Sequence, residues 1–239
     1  MDGRTLFSVC FAISVFSFTT ANSASLTFVE QTRLIFNANT NAASFPIKND
    51  TDRRFLVKAS VLDISGDSPG QPNSDFLVLP EVLVLRPGKH QQLKVVRVSG
   101  NFPKDRESAF FLNGYFIPEE KKSSTDSTVN LAVSLNVKMF YRPVDIIDNQ
   151  AIRKVSPLLE FGFKPGYLIV RNPSPYHLTF AKLAVNGVEL SSSQLKQMVK
   201  PFACADYEIS LYNTGEKEIS WVLIDEYGNG TQESFKKTK

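Results

Sequence analysis

From Val129 to Pro143 the chain reads V-N-L-A-V-S-L-N-V-K-M-F-Y-R-P. Val129, Leu131, Val133, Leu135 and Val137 alternate with Asn130, Ala132, Ser134 and Asn136. Strict period two gives an extended strand one apolar face and one polar face. The run spans about nine residues before Lys138, longer than the usual strand of ~5–6. A polar stretch, Glu119 to Ser127, precedes it, and Arg142-Pro143 stops it. An isolated amphipathic strand ordinarily covers its own core. One that outruns its sheet offers unpaired backbone and bare aliphatic side chains. Folded proteins normally suppress such edges, so this one predicts a partner.

The chain has 239 residues, room for one large or two small domains. A net charge of +3 is a mild basic excess, not the dense basic stripe of a nucleic-acid binder. Nineteen Phe against one Trp suit β-sheet cores. Met1 to Ala24 reads as a signal peptide, with an apolar stretch from Leu6 to Phe18 that is too short to span a bilayer. Cleavage is expected after Ser23 or Ala24. No later run approaches ~20 apolar residues, so the mature chain is expected to be exported and soluble, without stable membrane insertion. Cys10 leaves with the signal, and Cys204 remains alone with no intrachain disulfide to make. We read Cys204 as a small buried filler.

Nearly every segment after the signal reads as strand: Leu26 to Phe36, Ala43 to Asn49, Arg54 to Ile64, then F-L-V-L-P, E-V-L-V-L-R-P-G and Q-Q-L-K-V-V-R-V, and Ala109 to Ile117. A polar loop, Ser65 to Asp75, interrupts them, and Arg86-Pro87-Gly88 carries the chemistry of a turn. Seven short strands at this spacing predict an immunoglobulin-like sandwich of about a hundred residues. After a short connector from Val144 to Gln150 comes a second strand-rich unit. It has an Asn186-Gly187 hairpin signal. Its last strand is expected at Trp221 to Gly228. The fold is therefore all-β, with residues 1–24 as signal, 25–145 as an N-terminal domain carrying the long strand, and 146–239 as a C-terminal domain. A cleft between two domains is a common place for a site.

N-V-K-M-F-Y-R-P resembles the K-L-F-Y-R-P signature of the periplasmic chaperones that assemble pili by the chaperone–usher route, the PapD-like family. Further matches surround it. F-L-V-L-P-E-V-L-V-L-R-P-G is similar to a P-F-x-V-T-P-P-L-x-R-L-x-P-G block, although Phe76 is not preceded by Pro and Glu81 replaces a second Pro. Asp105-Arg106-Glu107-Ser108, Phe111-Leu112-Asn113 and Ile117-Pro118 follow D-R-E-S-x-F-x-L-N-x-x-x-I-P. Asn172-Pro173-Ser174-Pro175-Tyr176 is similar to N-P-T-P-Y, and Ile224 to Gly228 to the closing I-N-D-Y-G. The resemblance implies two immunoglobulin-like β-sandwiches in an L or boomerang with a cleft between them.

It also implies roles. Arg33, in T-R-L-I-F, and Lys138 would converge in the cleft on the C-terminal carboxylate of an unfinished pilus subunit. A guanidinium offers a two-point fork, and an ammonium adds a point charge. Taken alone, each is an ordinary exposed strand charge. A subunit of this type lacks its last strand, and the chaperone lends its own, with apolar side chains filling the groove. Val129, Leu131 and Val133 would be the plugs, with Leu135 and Val137 nearer the chaperone's own sheet. The short loop before the strand resembles the short-loop subclass. Glu107, Arg142 and Asp225 match an inter-domain charge network, where stray surface charges would be worth little. The implied partners are pilus subunits and an outer-membrane usher in the periplasm, and a client-free lent strand can also pair with itself.

Nothing in the chain predicts an enzyme. His90 and His177 have no acid–base neighbours in sequence, and there is no G-x-S-x-G, no H-E-x-x-H and no phosphate loop. No cofactor or metal is expected. Asn49-Asp50-Thr51 and Asn229-Gly230-Thr231 fit a glycosylation triplet, a pattern that arises readily by chance. Two other classes stay open. A pilus subunit or adhesin would carry its alternating segment just after the signal, and usually a cysteine pair. A generic two-domain sandwich would bind some other extracellular ligand.

Overall fold

A computed structural model describes residues 31–64, 70–119, 131–210 and 215–238. The expected signal peptide, residues 26–30 of the first expected strand, residues 65–69 and 120–127 of the two polar loops, and Val129 lie outside the described residues.

Eight strands build the first domain: β1 (Arg33–Asn37), β2 (Ala42–Lys48), β3 (Phe55–Asp63), β4 (Phe76–Leu79), β5 (Val82–Leu85), β6 (His90–Arg97), β7 (Ser108–Pro118) and β8 (Val133–Arg142). They form two sheets, β1-β8-β7-β3-β5 and β2-β6-β4. Seven of them are the short strands expected and the eighth is the long strand β8; at Pro80-Glu81 the chain leaves one sheet for the other. A proline cannot donate to a ladder, so the crossing falls there. Phe36, Phe45, Val57, Leu85, Leu93, Val95 and Met139 are buried between the sheets. The apolar face of each strand supplies them at every second position.

The second domain starts with a five-residue helix, α1 (Ala151–Val155), and continues with β9 (Glu160–Lys164), β10 (Tyr167–Arg171), β11 (Phe180–Val185), β12 (Val188–Glu189), β13 (Cys204–Glu208), β14 (Lys217–Leu223) and β15 (Ser234–Thr238). Its sheets run β13-β10-β9 and β12-β11-β14-β15. Asn186 and Gly187 sit at φ 50° and 77°, as a two-residue hairpin that pairs Val185 with Val188 requires. Trp221 is buried, and its indole N–H donates to the Ser156 carbonyl at 3.2 Å. The sheet does not end at Gly228. The turn there sends the chain back as β15, paired along Lys217–Trp221.

Cys204 is exposed, contrary to the buried filler expected. On β13, Ala205 and Tyr207 point inward while Cys204, Asp206 and Glu208 point out, so strand alternation decides its face. Asn49 is likewise no glycan acceptor. Its buried amide donates to the carbonyls of Arg53 and Leu85, and its oxygen receives the Thr51 N–H and hydroxyl. Asn172 repeats the device in the second domain, bonding the Tyr176 and Lys200 carbonyls and receiving from Ser174. Each asparagine closes the loop that leaves the strand before it.

A fully buried ion-paired cation joins the domains. Arg142, at the end of β8, is 1% exposed and donates through Nε to Glu107 Oε1 at 2.9 Å. Its Nη2 lies 2.8 Å from the same oxygen, and its Nη1 reaches the Asp148 carbonyl and Glu226 Oε1, the latter at 3.4 Å. Glu107 Oε2 accepts the His177 N–H at 2.8 Å, and the Glu107 N–H donates to the Pro175 carbonyl at 2.9 Å. Glu226 Oε1 accepts the Ile152 N–H. Removing one member of a buried pair strands its partner without solvent, which costs about 3–5 kcal/mol. Arg142→Ala is therefore expected to lower stability by that order in chemical denaturation. Small-angle scattering should show a broadened spread of inter-domain angles. Denaturation unchanged from wild type would contradict this assignment.

Candidate functional site

β1 pairs with β8 in parallel, and the register sets Arg33 opposite Lys138. Two cations from positions more than a hundred residues apart thus become neighbours on one sheet. Arg33 is buried and donates from Nη1 to the Ile224 carbonyl of the second domain at 2.8 Å. Its guanidinium lies 5.7 Å from the Phe140 ring centre. Its Nε is buried with no hydrogen-bond partner among the described residues. Lys138 is half-buried and donates to the Thr179 hydroxyl at 3.3 Å. Both side chains therefore stand at the domain junction, each tied to the second domain by one neutral acceptor.

Burial lowers the Arg33 pKa to about 10, against the raising influence of Glu107, Glu226 and Asp225. Burial, with the Arg33 charge added, lowers Lys138 to about 8. No ion pair joins either cation to a carboxylate among the described residues. A pair of adjacent, partly desolvated cations is a poor arrangement until an anion neutralises it. Chemically it can seat one carboxylate, with the fork of Arg33 and the point charge of Lys138 on the same group.

The strand that carries Lys138 has an uneven second edge. β7 pairs with β8 from Val133 to Tyr141, whereas β1 covers only Lys138 to Arg142 on the other side. Among the described residues nothing pairs the second edge of Val133–Val137. Exposure follows the same gradient along the apolar face: Leu131 is 74% exposed, Val133 and Leu135 are half-buried, Val137 is 7% exposed and Met139 is fully buried. Among the described residues regular strand begins at Val133, so Leu131 precedes β8.

The expected charge network has a different membership. Glu107 and Arg142 meet, but the acid that reaches Arg142 from the second domain is Glu226. Asp225 is paired with Arg153 at 2.8 Å, and its other oxygen accepts the Tyr227 and Asn229 N–H groups. Its pKa is lowered by those bonds, against the opposing effect of burial. The shorter side chain closes its own turn, and the longer one spans to the next domain. The sequence D-E-Y-G holds both acids side by side, so only this division of labour was hidden. Phe140, beneath Arg33, lies within the K-M-F-Y-R-P match, whereas Thr179, which accepts from Lys138, and His177, stacked on Phe140, carried no sequence signal. The latter two matter through tertiary neighbours alone.

Comparison with known proteins identifies the family to which this fold belongs. Residues 27–146 match the family model for the PapD N-terminal domain of pili and flagellar-assembly chaperones, and residues 154–235 match the C-terminal domain of the pili assembly chaperone PapD. The chain is 28% identical over 229 residues to the chaperone protein PsaB of Yersinia pestis, covering 87% of this chain and 81% of that protein. It is 29% identical over 203 residues to the uncharacterized fimbrial chaperone YbgP of Escherichia coli K12, covering 83% and 81%. Among solved structures it is similar to the E. coli chaperone DraB, with TM-score 0.73, 26% identity and coverage of 87% and 95%. The Salmonella enterica SafA pilin in complex with the SafB chaperone gives TM-score 0.75, 26% identity and coverage of 86% and 93%. With both halves of its fold matched in order, the chain belongs to the PapD family of pili assembly chaperones.

Proposed function

We propose that this chaperone captures pilus subunits in the periplasm by anchoring the subunit's C-terminal carboxylate on Arg33 and Lys138 and lending the open edge of β8 to complete the subunit's sandwich. The observation that carries the reading is the pair itself: two neighbouring desolvated cations with no carboxylate ion-paired to them among the described residues. A chain end seated there lies beside the uncovered edge of Val133–Val137. Its backbone can then continue the ladder, while Leu131 and Val133, and Val129 before them, fill an apolar groove. Leu135 reaches the same face but also packs against the chaperone's own core. A few buried aliphatics at ~1.5–3 kcal/mol each supplement the anchor, less the cost of ordering both partners.

The loaded chaperone then hands the subunit to an outer-membrane usher. On the same sheet, Leu56 of β3, Val82 and Val84 of β5 and Ile117 of β7 are exposed and available for such a contact. Without a client, the same open edge of β8 can pair with a second copy. Residues 1–24 direct export and are removed. No chemistry is catalysed in this reading, and the cleft serves binding alone.

Leu131→Asp is expected to abolish subunit pull-down while leaving the urea midpoint of the free protein at its wild-type value. A carboxylate cannot enter an apolar groove unpaired, yet in the free protein this side chain is exposed. Arg33→Ala and Lys138→Ala should also lose capture, and normal capture by both variants would refute the anchor. The pH dependence is specific. Only the protonated ammonium attracts a carboxylate, and Lys138 has its pKa lowered to about 8 in the free protein. The apparent Kd for a subunit is expected to be flat below that value and to rise about tenfold by one pH unit above it. Lys138→Arg should remove this rise, because arginine keeps its charge; an identical profile in that variant would count against the role of Lys138.

A further inference from the structure

Asn113 belongs to β7, on the face opposite the buried Leu112 and Phe116. Its backbone lies across from Asn136 of β8. Its side-chain amide donates to Ser134 Oγ at 2.8 Å and to Asn136 Oδ1 at 2.7 Å, with the Leu135 carbonyl at 3.4 Å. Ser134 and Asn136 are the two outward residues that flank Leu135. One amide thus fastens consecutive outward positions of β8 where, among the described residues, the strand has a single paired edge, between exposed Leu131 and Lys138.

A half-paired strand frays readily, and a partner that must straighten it loses affinity to the ordering cost. We propose that Asn113 is a positioning residue for subunit capture. By fastening Ser134 and Asn136 to β7, it holds the open-edged half of β8 extended before a subunit arrives. The inference rests on the proposed seating of the subunit along β8. Asn113 touches no subunit in this account, since its bonds point along the sheet and not toward the open edge. Strand alternation puts the polar side chains of β8 on the outer face, where the clip holds them, and leaves the edge itself to backbone groups.

The test compares Asn113→Ala with the double variant Ser134→Ala/Asn136→Ala, which removes the clip from the other strand. Amide hydrogen exchange of Val133–Val137 is expected to speed up by about 3–10-fold in both, the loss of one or two ordinary hydrogen bonds, with β3 amides unchanged. Subunit association should slow by a similar factor in both. Adding Asn113→Ala to the double variant should change little further, because the residues act as one unit. Wild-type exchange at Val133–Val137, or wild-type association in Asn113→Ala, would overturn the proposal. So would a stability loss spread evenly over the domain. Leu131→Asp serves as the control: capture lost there and kept in Asn113→Ala defeats the clip alone, whereas capture kept in Leu131→Asp defeats the seating along β8 and the clip with it.

Discussion

The buried guanidinium of Arg142 is the contact on which the rest of the arrangement depends. It ends β8 in the first domain and meets Glu226 in the second, while Glu107 bridges from it to the backbone of His177 and Pro175. Such a group is costly to bury and stable only when nearly every donor is satisfied. Here Glu107, Glu226 and the Asp148 carbonyl supply the acceptors, and Tyr176 lies beneath the charge at 4.7 Å. Satisfying one guanidinium from both domains restricts how they can sit. Arg33 and Lys138 inherit that restriction, because their neutral acceptors, the Ile224 carbonyl and the Thr179 hydroxyl, belong to the second domain.

The junction therefore separates two kinds of charge. Arg142 is fully compensated and serves structure. Arg33 and Lys138 are desolvated with no ion pair among the described residues, and burial lowers their pKa values. The difference lies in the acids around them. Glu107 and Glu226 make direct contact with Arg142 but act on Arg33 only through space. In the proposed reading, this pair beside a strand edge that is half covered among the described residues couples two recognition elements in one place: a charge to fix the end of an incoming chain, and a ladder to accept its backbone. In that reading the charge sets where the ladder begins, so register follows from the anchor.

Much of this was legible in the residues. The alternation around Val133, Leu135 and Val137 already marked an amphipathic strand, and the exposure gradient from Leu131 to Met139 follows that pattern. The all-β class followed from short apolar runs separated by turns, because period two and turn chemistry are local properties. The Asn186-Gly187 hairpin is of the same kind, since positive φ at both positions is a demand the two residues meet by themselves. Family motifs added Arg33, Lys138, Glu107 and Arg142, a set that periodicity alone would not have gathered.

Tertiary structure decided the rest. Parallel pairing of β1 with β8 brings Arg33 beside Lys138, and no local pattern encodes a partner a hundred residues away. Cys204 was read as core and lies outside, because its face depends on the register of β13 and not on its chemistry. Asp225 and Glu226 are interchangeable in a sequence motif, but reach separates them: one caps a turn and the other crosses to Arg142. The residues by themselves determined which segments are strands and which face of each is apolar, since those follow from side-chain order along an extended backbone. Which edges stay open, which charges go unpaired and which acid meets which base were decided only when the strands were placed, because desolvation and pairing depend on neighbours that the fold brings together from distant parts of the chain.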